Sequence, residues 1–145
     1  MTTSTTLCGK TKTWVDGLPN KSVQFLSVDE VLAIQERLID RFGGRHGVRD
    51  KGLLESALYR PQTGYYQSLE EMAAAMFHSL LLNRAFVDGN KRVTFFATDV
   101  FLRLNGWKTD VAPAEAESFI IGMLENGDCE VNEITDWIRD SIVAI

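Results

Sequence analysis

Residues 83–92 read N-R-A-F-V-D-G-N-K-R, and a helix-like apolar segment lies on either side of them. Five consecutive positions, Asp88 to Arg92, hold a carboxylate, a glycine, an amide and two cations. Asp88 offers only acceptor oxygens and precedes a helix start, so it suits either a helix cap or a hard cation such as Mg²⁺. Gly89 lets the backbone turn and approach a ligand closely. Asn90 to Arg92 open the next helix, where unpaired N–H groups and the macrodipole favour an anion. Arg92 can grip a phosphate with two parallel hydrogen bonds. On D-G-N alone, an ordinary turn and capped helix is the better reading. Cations in a first turn oppose the helix dipole, however, and a bound anion removes that conflict. Lys91 and Arg92 therefore tip the balance toward a phosphate site.

Working outward, both flanks read as helices. Ser68 and Glu71 have capping-box spacing, and Leu69 to about Leu82 is apolar nearly all round, as in a central helix. His78 within it reads as a satisfied core histidine. Downstream, Asn90 is expected to cap a helix running to about Asn105, with Val93, Phe96, Ala97, Val100, Phe101 and Leu104 inward and Gly106 past its end. A second capping box, Ser27 and Glu30, opens a helix with Val31, Ile34, Leu38 and Phe42 at helical spacing before Gly43-Gly44. Lys51 to Arg60 forms a short helix that Pro61 stops. Pro113 starts another, with Phe119, Ile120, Met123 and Leu124 inward, that ends at Gly127, and Asn132 is expected to cap the last. Trp107 to Val111 reads as a connector. The whole is an all-α bundle of about six helices around a central helix pair, with Val23 to Leu26 as a short extended lead-in.

A chain of 145 residues fits one domain with one core. Residues 1–22 read as a flexible or loosely docked arm, with room for vector-derived residues and Trp14 as its large apolar anchor; residues 23–145 form the domain. The net charge of −5 argues against nucleic acid as the main partner. Arg41, Arg45, Arg49 and Lys51 read as a solvated basic rim. Cys8 and Cys129 suggest neither a disulfide framework nor a zinc site. The N-terminus lacks a secretory h-region and no apolar run is long enough to span a bilayer, so a membrane is not expected and a cytoplasmic location is the simplest.

Residues 84–92 resemble the signature of Fic-domain proteins, H-x-F-x-D-G-N-x-R, and more closely that of the death-on-curing (Doc) toxin branch, with its G-N-K-R tail. Gly47 to Gln62, G-V-R-D-K-G-L-L-E-S-A-L-Y-R-P-Q, resembles a second stretch of that branch. The resemblance spans roughly residues 24–143. It implies ATP and Mg²⁺ as cofactors. Asp88 would hold the metal, while Gly89, Asn90, Lys91 and Arg92 would bind the nucleotide phosphates. Arg84, Asp88, Lys91 and Arg92 would occupy the catalytic positions. Lys91 stands where adenylylating relatives usually carry glycine, which implies phosphoryl rather than AMP transfer to a protein hydroxyl. The implied target is a translation factor, with elongation factor Tu foremost. An antitoxin in trans is the implied restraint, because no glutamate carries the S/T-x-x-x-E spacing of the family's inhibitory helix.

Arg84 departs from the motif histidine. A guanidinium has no acceptor atom and cannot serve as a general base. A deliberate inactivating substitution, a natural pseudoenzyme that keeps nucleotide or partner binding, and a base relocated to His78 or His46 are the explanations, preferred in that order.

Overall fold

The structure is a computed structural model and describes residues 12–15 and 18–145. Of the arm expected over residues 1–22, residues 1–11 and 16–17 lie outside these, as do Cys8 and the Trp14 side chain. Strands β1 (Lys12–Val15) and β2 (Leu18–Ser22) pair antiparallel ahead of the helical domain. Six α-helices follow among the described residues: α1 (Val28–Phe42), α2 (Lys51–Tyr59), α3 (Leu69–Asn83), α4 (Asn90–Leu104), α5 (Pro113–Asn126) and α6 (Val131–Ser141). None is long and apolar enough to cross a membrane.

Helix α3 is the axis. Its sequence, L-E-E-M-A-A-A-M-F-H-S-L-L-L-N, holds good helix formers and no β-branched residue. Ser68 Oγ accepts from the Glu71 N–H, while Glu71 Oε1 accepts from the N–H groups of Ser68 and Gln67. Those backbone donors hold the Glu71 carboxyl below the ordinary range. Helix α3 packs against α2, α4 and α6, and eight of its side chains are buried, Phe77 fully. Each large apolar side chain so enclosed contributes about 1.5–3 kcal/mol. The all-round apolar pattern thus buries as a central helix should, except at Leu82, which is 47% exposed.

Other expected core positions also face out. Phe42 is 48% exposed, and Leu104 and Leu124 are similarly open. Each lies in the last turn or so of its helix, where the chain leaves the core. Helix α2 ends one residue early, at Tyr59, and Arg60–Gln62 tightens into a 3₁₀ turn around the buried Pro61. The last helix starts at Val131 with Glu130 at its N-cap, so Asn132 lies within the first turn and is not the cap. Both Ser27 and Ser68 capping boxes form, and Pro113 begins α5.

The extended lead-in is pinned to the end of α4. Asn105 Oδ1 accepts from the Gln24 N–H and Asn105 Nδ2 donates to the Gln24 carbonyl, each at 2.9 Å. Val23 and Leu26 are buried there, and Phe25 stacks on Phe101. The supposed connector after α4 is instead strand β3 (Trp107–Thr109), which pairs antiparallel with β4 (Ile142–Ala144). A strand of three residues carries too little alternation to be legible in sequence; its partner is 35 residues downstream.

Candidate active site

The segment between α3 and α4 is fixed by the segment before α2. The Ala85 carbonyl accepts from the N–H groups of Arg49 and Asp50 at 2.7 and 3.0 Å, and Val87 N–H donates to the Gly47 carbonyl at 3.0 Å. Val48 and Phe86 form an antiparallel bridge between these bonds. The Arg49 guanidinium reaches the carbonyls of Asn83 and Arg84, two of the orphan acceptors at the end of α3. Arg49 is therefore a structural clamp and not part of a free basic rim. The two stretches singled out in sequence, 47–62 and 84–92, meet as one unit.

Arg84 adopts φ 48°, ψ 53°, and is the one non-glycine residue with positive φ among the described residues. It takes the left-handed position that ends many helices and that glycine usually fills. Histidine visits this region several-fold more readily than most residues, so the site accommodates the motif residue in the same backbone state. The Arg84 side chain is exposed and lines the cleft described below.

Gly89, at φ 77°, is the N-cap of α4, and no side chain caps that helix. The expectation that Asn90 caps it is corrected. Asn90 is the first helical residue, and its side chain turns back: Oδ1 accepts from the Phe86 N–H and Nδ2 donates to the Phe86 carbonyl, both at 3.0 Å. A cap must precede the helix to reach its second or third N–H, and Asn90 stands one place too late. The first turn therefore presents the N–H groups of Asn90, Lys91 and Arg92, which have no acceptor four residues back in the helix.

Asp88 does not cap the helix either. Its Oδ2 accepts from the Arg45 N–H at 2.9 Å. Its carbonyl, and that of Arg45, each accept from the buried Gln35 Nε2 at 3.3 Å. Gly44, at φ 113°, lets the chain pass close: a Cβ there would lie 3.4 Å from Asp88 Cβ and 3.0 Å from Ile39 Cδ1. The Arg45 N–H thus holds the Asp88 carboxylate and Gln35 its backbone carbonyl, both from outside its own loop. Among the described residues no cluster of three His, Cys, Asp or Glu side chains could hold a metal by itself. One oriented carboxylate fits Mg²⁺ that takes its remaining ligands from phosphates and water, the usual arrangement for that ion.

These groups converge on an open cleft of about 570 Å³. Arg84, Asp88, Gly89, Asn90, Lys91 and Arg92 all line it. Leu81, Leu82, Val87, Leu124 and the carboxylate-bearing Glu117 complete its walls. The Arg92 guanidinium carbon sits 4.4 Å from the centroid of the Phe42 ring, which explains why Phe42 stays at the surface. A cleft that joins unpaired helix N–H groups, three cations and one fixed carboxylate is suited to a polyphosphate with its metal.

Neither histidine supplies a base to this cleft. The His78 ring lies between the Arg60 Nη1, 2.9 Å from Nδ1, and the Cys129 carbonyl, 3.1 Å from Nε2. A guanidinium only donates, so Nδ1 accepts and Nε2 carries the proton. Burial, reinforced by the Arg60 charge, pushes the His78 pKa below its ordinary value. It is the satisfied histidine that its setting in an apolar helix suggests. His46 is exposed and pairs with Asp40 at 2.8 Å. Cys129 is a free, half-buried thiol whose pKa burial raises.

Sequence reasoning missed Gln35, Phe42, Arg49 and Glu117 as residues of the site. Arg49 lies inside the second family-like stretch, which was the available signal. Gln35, Phe42 and Glu117 lie on α1 and α5 with no local signature; only packing brings them to the loop.

A fold and site of this kind define the Fic-type helical proteins. The description Fic/DOC family matches residues 25–102, and the chain belongs to that family. It is 41% identical to Toxin Doc of Mycolicibacterium smegmatis over 100 residues, 64% of this chain and 76% of that protein. It is 28% identical to Protein kinase doc of Escherichia phage P1 over 121 residues, 81% of this chain and 94% of that protein.

Proposed function

We propose that the chain is the toxin of a toxin–antitoxin pair, with a cleft that binds Mg²⁺ and ATP for phosphoryl transfer to a protein hydroxyl, and that Arg84 arrests the transfer. The carrying observation is that Arg84, Asp88, Lys91 and Arg92 line one cleft with an uncapped helix N-terminus at its floor. The names of the two relatives, a toxin and a protein kinase, support the class of activity.

In this reading the α4 N–H groups, Lys91 and Arg92 hold the phosphates by charge and position, which supplies most of the catalysis in phosphoryl transfer. Asp88 holds the metal, which neutralises developing charge when bound. The acceptor hydroxyl gives up its proton at the position of residue 84, its oxygen bonds to the γ-phosphorus, and ADP leaves with the electrons of the broken P–O bond. With arginine at 84 no group takes that proton, so binding and turnover are separated. Arg84 itself favours a second reading, a pseudoenzyme that binds nucleotide or partner without turnover. AMP transfer is the weaker alternative, since the Lys91 side chain fills the place of the glycine that adenylylating relatives carry. A translation factor, elongation factor Tu foremost, is the target this reading names, on the resemblance alone. The exposed Leu82, Val87 and Leu124 around the cleft suit an antitoxin segment laid along it in trans.

The test is Arg84→His under tight expression control. Growth arrest, with a target that gains phosphate by mass spectrometry, supports the kinase reading. A gain of AMP replaces it with adenylyl transfer, and no gain of either leaves the binding protein.

A further inference from the structure

Arg84, Lys91 and Arg92 line the cleft, and three more exposed cations, Arg37, Arg41 and Arg45, lie beside it. Arg37 and Arg41 stand one turn apart on α1, about 6 Å along its axis. The Arg41 and Arg92 guanidinium carbons lie 5.6 and 4.4 Å from the centroid of one ring, Phe42, so the α1 arginines run directly up to the cleft. The Arg45 N–H donates to Asp88 Oδ2, which roots that residue at the cleft's edge. Among the described residues the ion pairs belong to His46, Arg103 and Arg139, and none to these six cations. Asp40, next to Arg41 in sequence, is taken by His46 at 2.8 Å. The net charge of the chain is −5, so this crowding runs against its overall balance. A metal-bound triphosphate in the cleft matches Lys91 and Arg92. It leaves Arg37, Arg41 and Arg45 unmatched, since these do not line the cleft.

We infer that Arg37, Arg41 and Arg45 dock an acidic segment of the acceptor protein beside the cleft. The inference rests on the phosphoryl-transfer reading above and adds how the acceptor is chosen. Carboxylates two residues apart in an extended segment are spaced about 6.6 Å, close to the rise between Arg37 and Arg41. Each guanidinium can take a carboxylate with two parallel hydrogen bonds. The half-exposed Phe42 ring gives the segment an apolar contact amid the charges. Charges on a rim of this kind speed encounter and exclude wrong partners more than they add affinity. A nucleic acid is the poorer match. Its phosphate backbone needs a broad basic face, and a chain of net charge −5 repels a long polyanion beyond the patch.

The test titrates the full chain with labelled probes by fluorescence anisotropy, with and without saturating Mg²⁺ and ATP. The probes are a serine-centred peptide rich in glutamate, its glutamine and lysine counterparts, and a single-stranded RNA of equal length. The glutamate peptide should bind roughly 10-fold more tightly than the glutamine peptide, the scale of two or three exposed ion pairs, and the lysine peptide most weakly. The gap should close at about 1 M salt, where charges are screened within about 3 Å. Arg37→Gln combined with Arg41→Gln, both exposed and outside the cleft, should bring the glutamate peptide down to the glutamine level. The same pair should leave ATP affinity, read by calorimetry, unchanged. Equal binding of the glutamate and glutamine peptides to the unaltered chain overturns the docking surface and leaves the phosphate reading standing, and this comparison needs no variant to fold. Tighter binding of the RNA than of the glutamate peptide overturns it in favour of a nucleic acid. A glutamate peptide that ATP displaces also overturns it, because that peptide then occupies the phosphate cleft. If ATP itself does not bind, the phosphate reading fails first and the acceptor assignment with it.

Discussion

The Arg49 guanidinium donates twice to the Arg84 carbonyl, from Nε at 2.9 Å and from Nη2 at 2.6 Å. Nη2 also reaches the Asn83 carbonyl at 2.9 Å. A residue on the loop before α2 thus holds the end of α3 in a left-handed turn that an arginine side chain disfavours by about 1–2 kcal/mol. The planar fork suits this task, because two parallel donors fix the direction of the carbonyl as well as its distance.

Arg49→Ala should cost about 1.5–3 kcal/mol, the range for hydrogen bonds from a charged donor, and Arg49→Lys a smaller part of it. Arg84→Gly should gain about 0.5–1 kcal/mol, since glycine relieves the left-handed strain at some cost in chain entropy. Urea unfolding measures all three. A destabilising Arg84→Gly would mean that residue 84 does not adopt the left-handed turn.

Arg84→His should raise phosphotransfer by about 10²- to 10⁴-fold, the usual return of a positioned general base. Affinity for Mg²⁺ and ATP should change only a few-fold, because the proposed phosphate donors belong to α4. Single-turnover kinetics with γ-labelled ATP, beside calorimetry, separates the two effects. A variant that binds but transfers nothing would return the chain to the binding-protein reading.

Asp88→Asn should weaken ATP binding in the presence of Mg²⁺ and leave metal-free ATP nearly unchanged. Gln35→Leu should show the same split more weakly, since it frees the Asp88 and Arg45 carbonyls but keeps the carboxylate. It should also cost about 1–3 kcal/mol in stability for the unpaired carbonyls. Titrations with and without Mg²⁺ decide the matter; an equal loss in both would assign Gln35 a purely structural role.

The His78 pKa lies below its unfolded value, so the unfolded chain binds the extra proton first as pH falls. The stability linked to this group is fully present above its ordinary value near 6.5 and is lost as pH drops from there toward the folded pKa. Glu71 adds a loss of the same sign at lower pH, through its depressed carboxyl. His78→Gln should remove the loss just below neutrality and keep the acid one. Tm against pH for the two proteins tests this, and identical curves would reject it.

The helices were legible because their signals are local. Ser27 with Glu30 and Ser68 with Glu71 mark two starts, Pro113 marks a third, and the apolar stretch 69–82 marks its helix as the central one. Errors fell where a local pattern had more than one outcome. Asn90 has the chemistry of a cap, but Gly89 took that place and left Asn90 to clamp Phe86. Phe42 has core spacing, yet it ends its helix under Arg92. Strand β3 exists only because β4 lies beside it.

By itself, the order of residues determined that Asp88, Gly89, Lys91 and Arg92 sit together at a helix start, and that position 84 carries a group unable to accept a proton. Both follow from covalent sequence and side-chain chemistry. Only the tertiary structure decided how that loop is held: Gln35 and the Arg45 amide on Asp88, Arg49 on Arg84, and Phe42 beneath Arg92. Those partners lie 35 to 53 residues away along the chain. Hydrogen bonds and stacking act over a few ångströms of space, so no periodicity within one helix announces them.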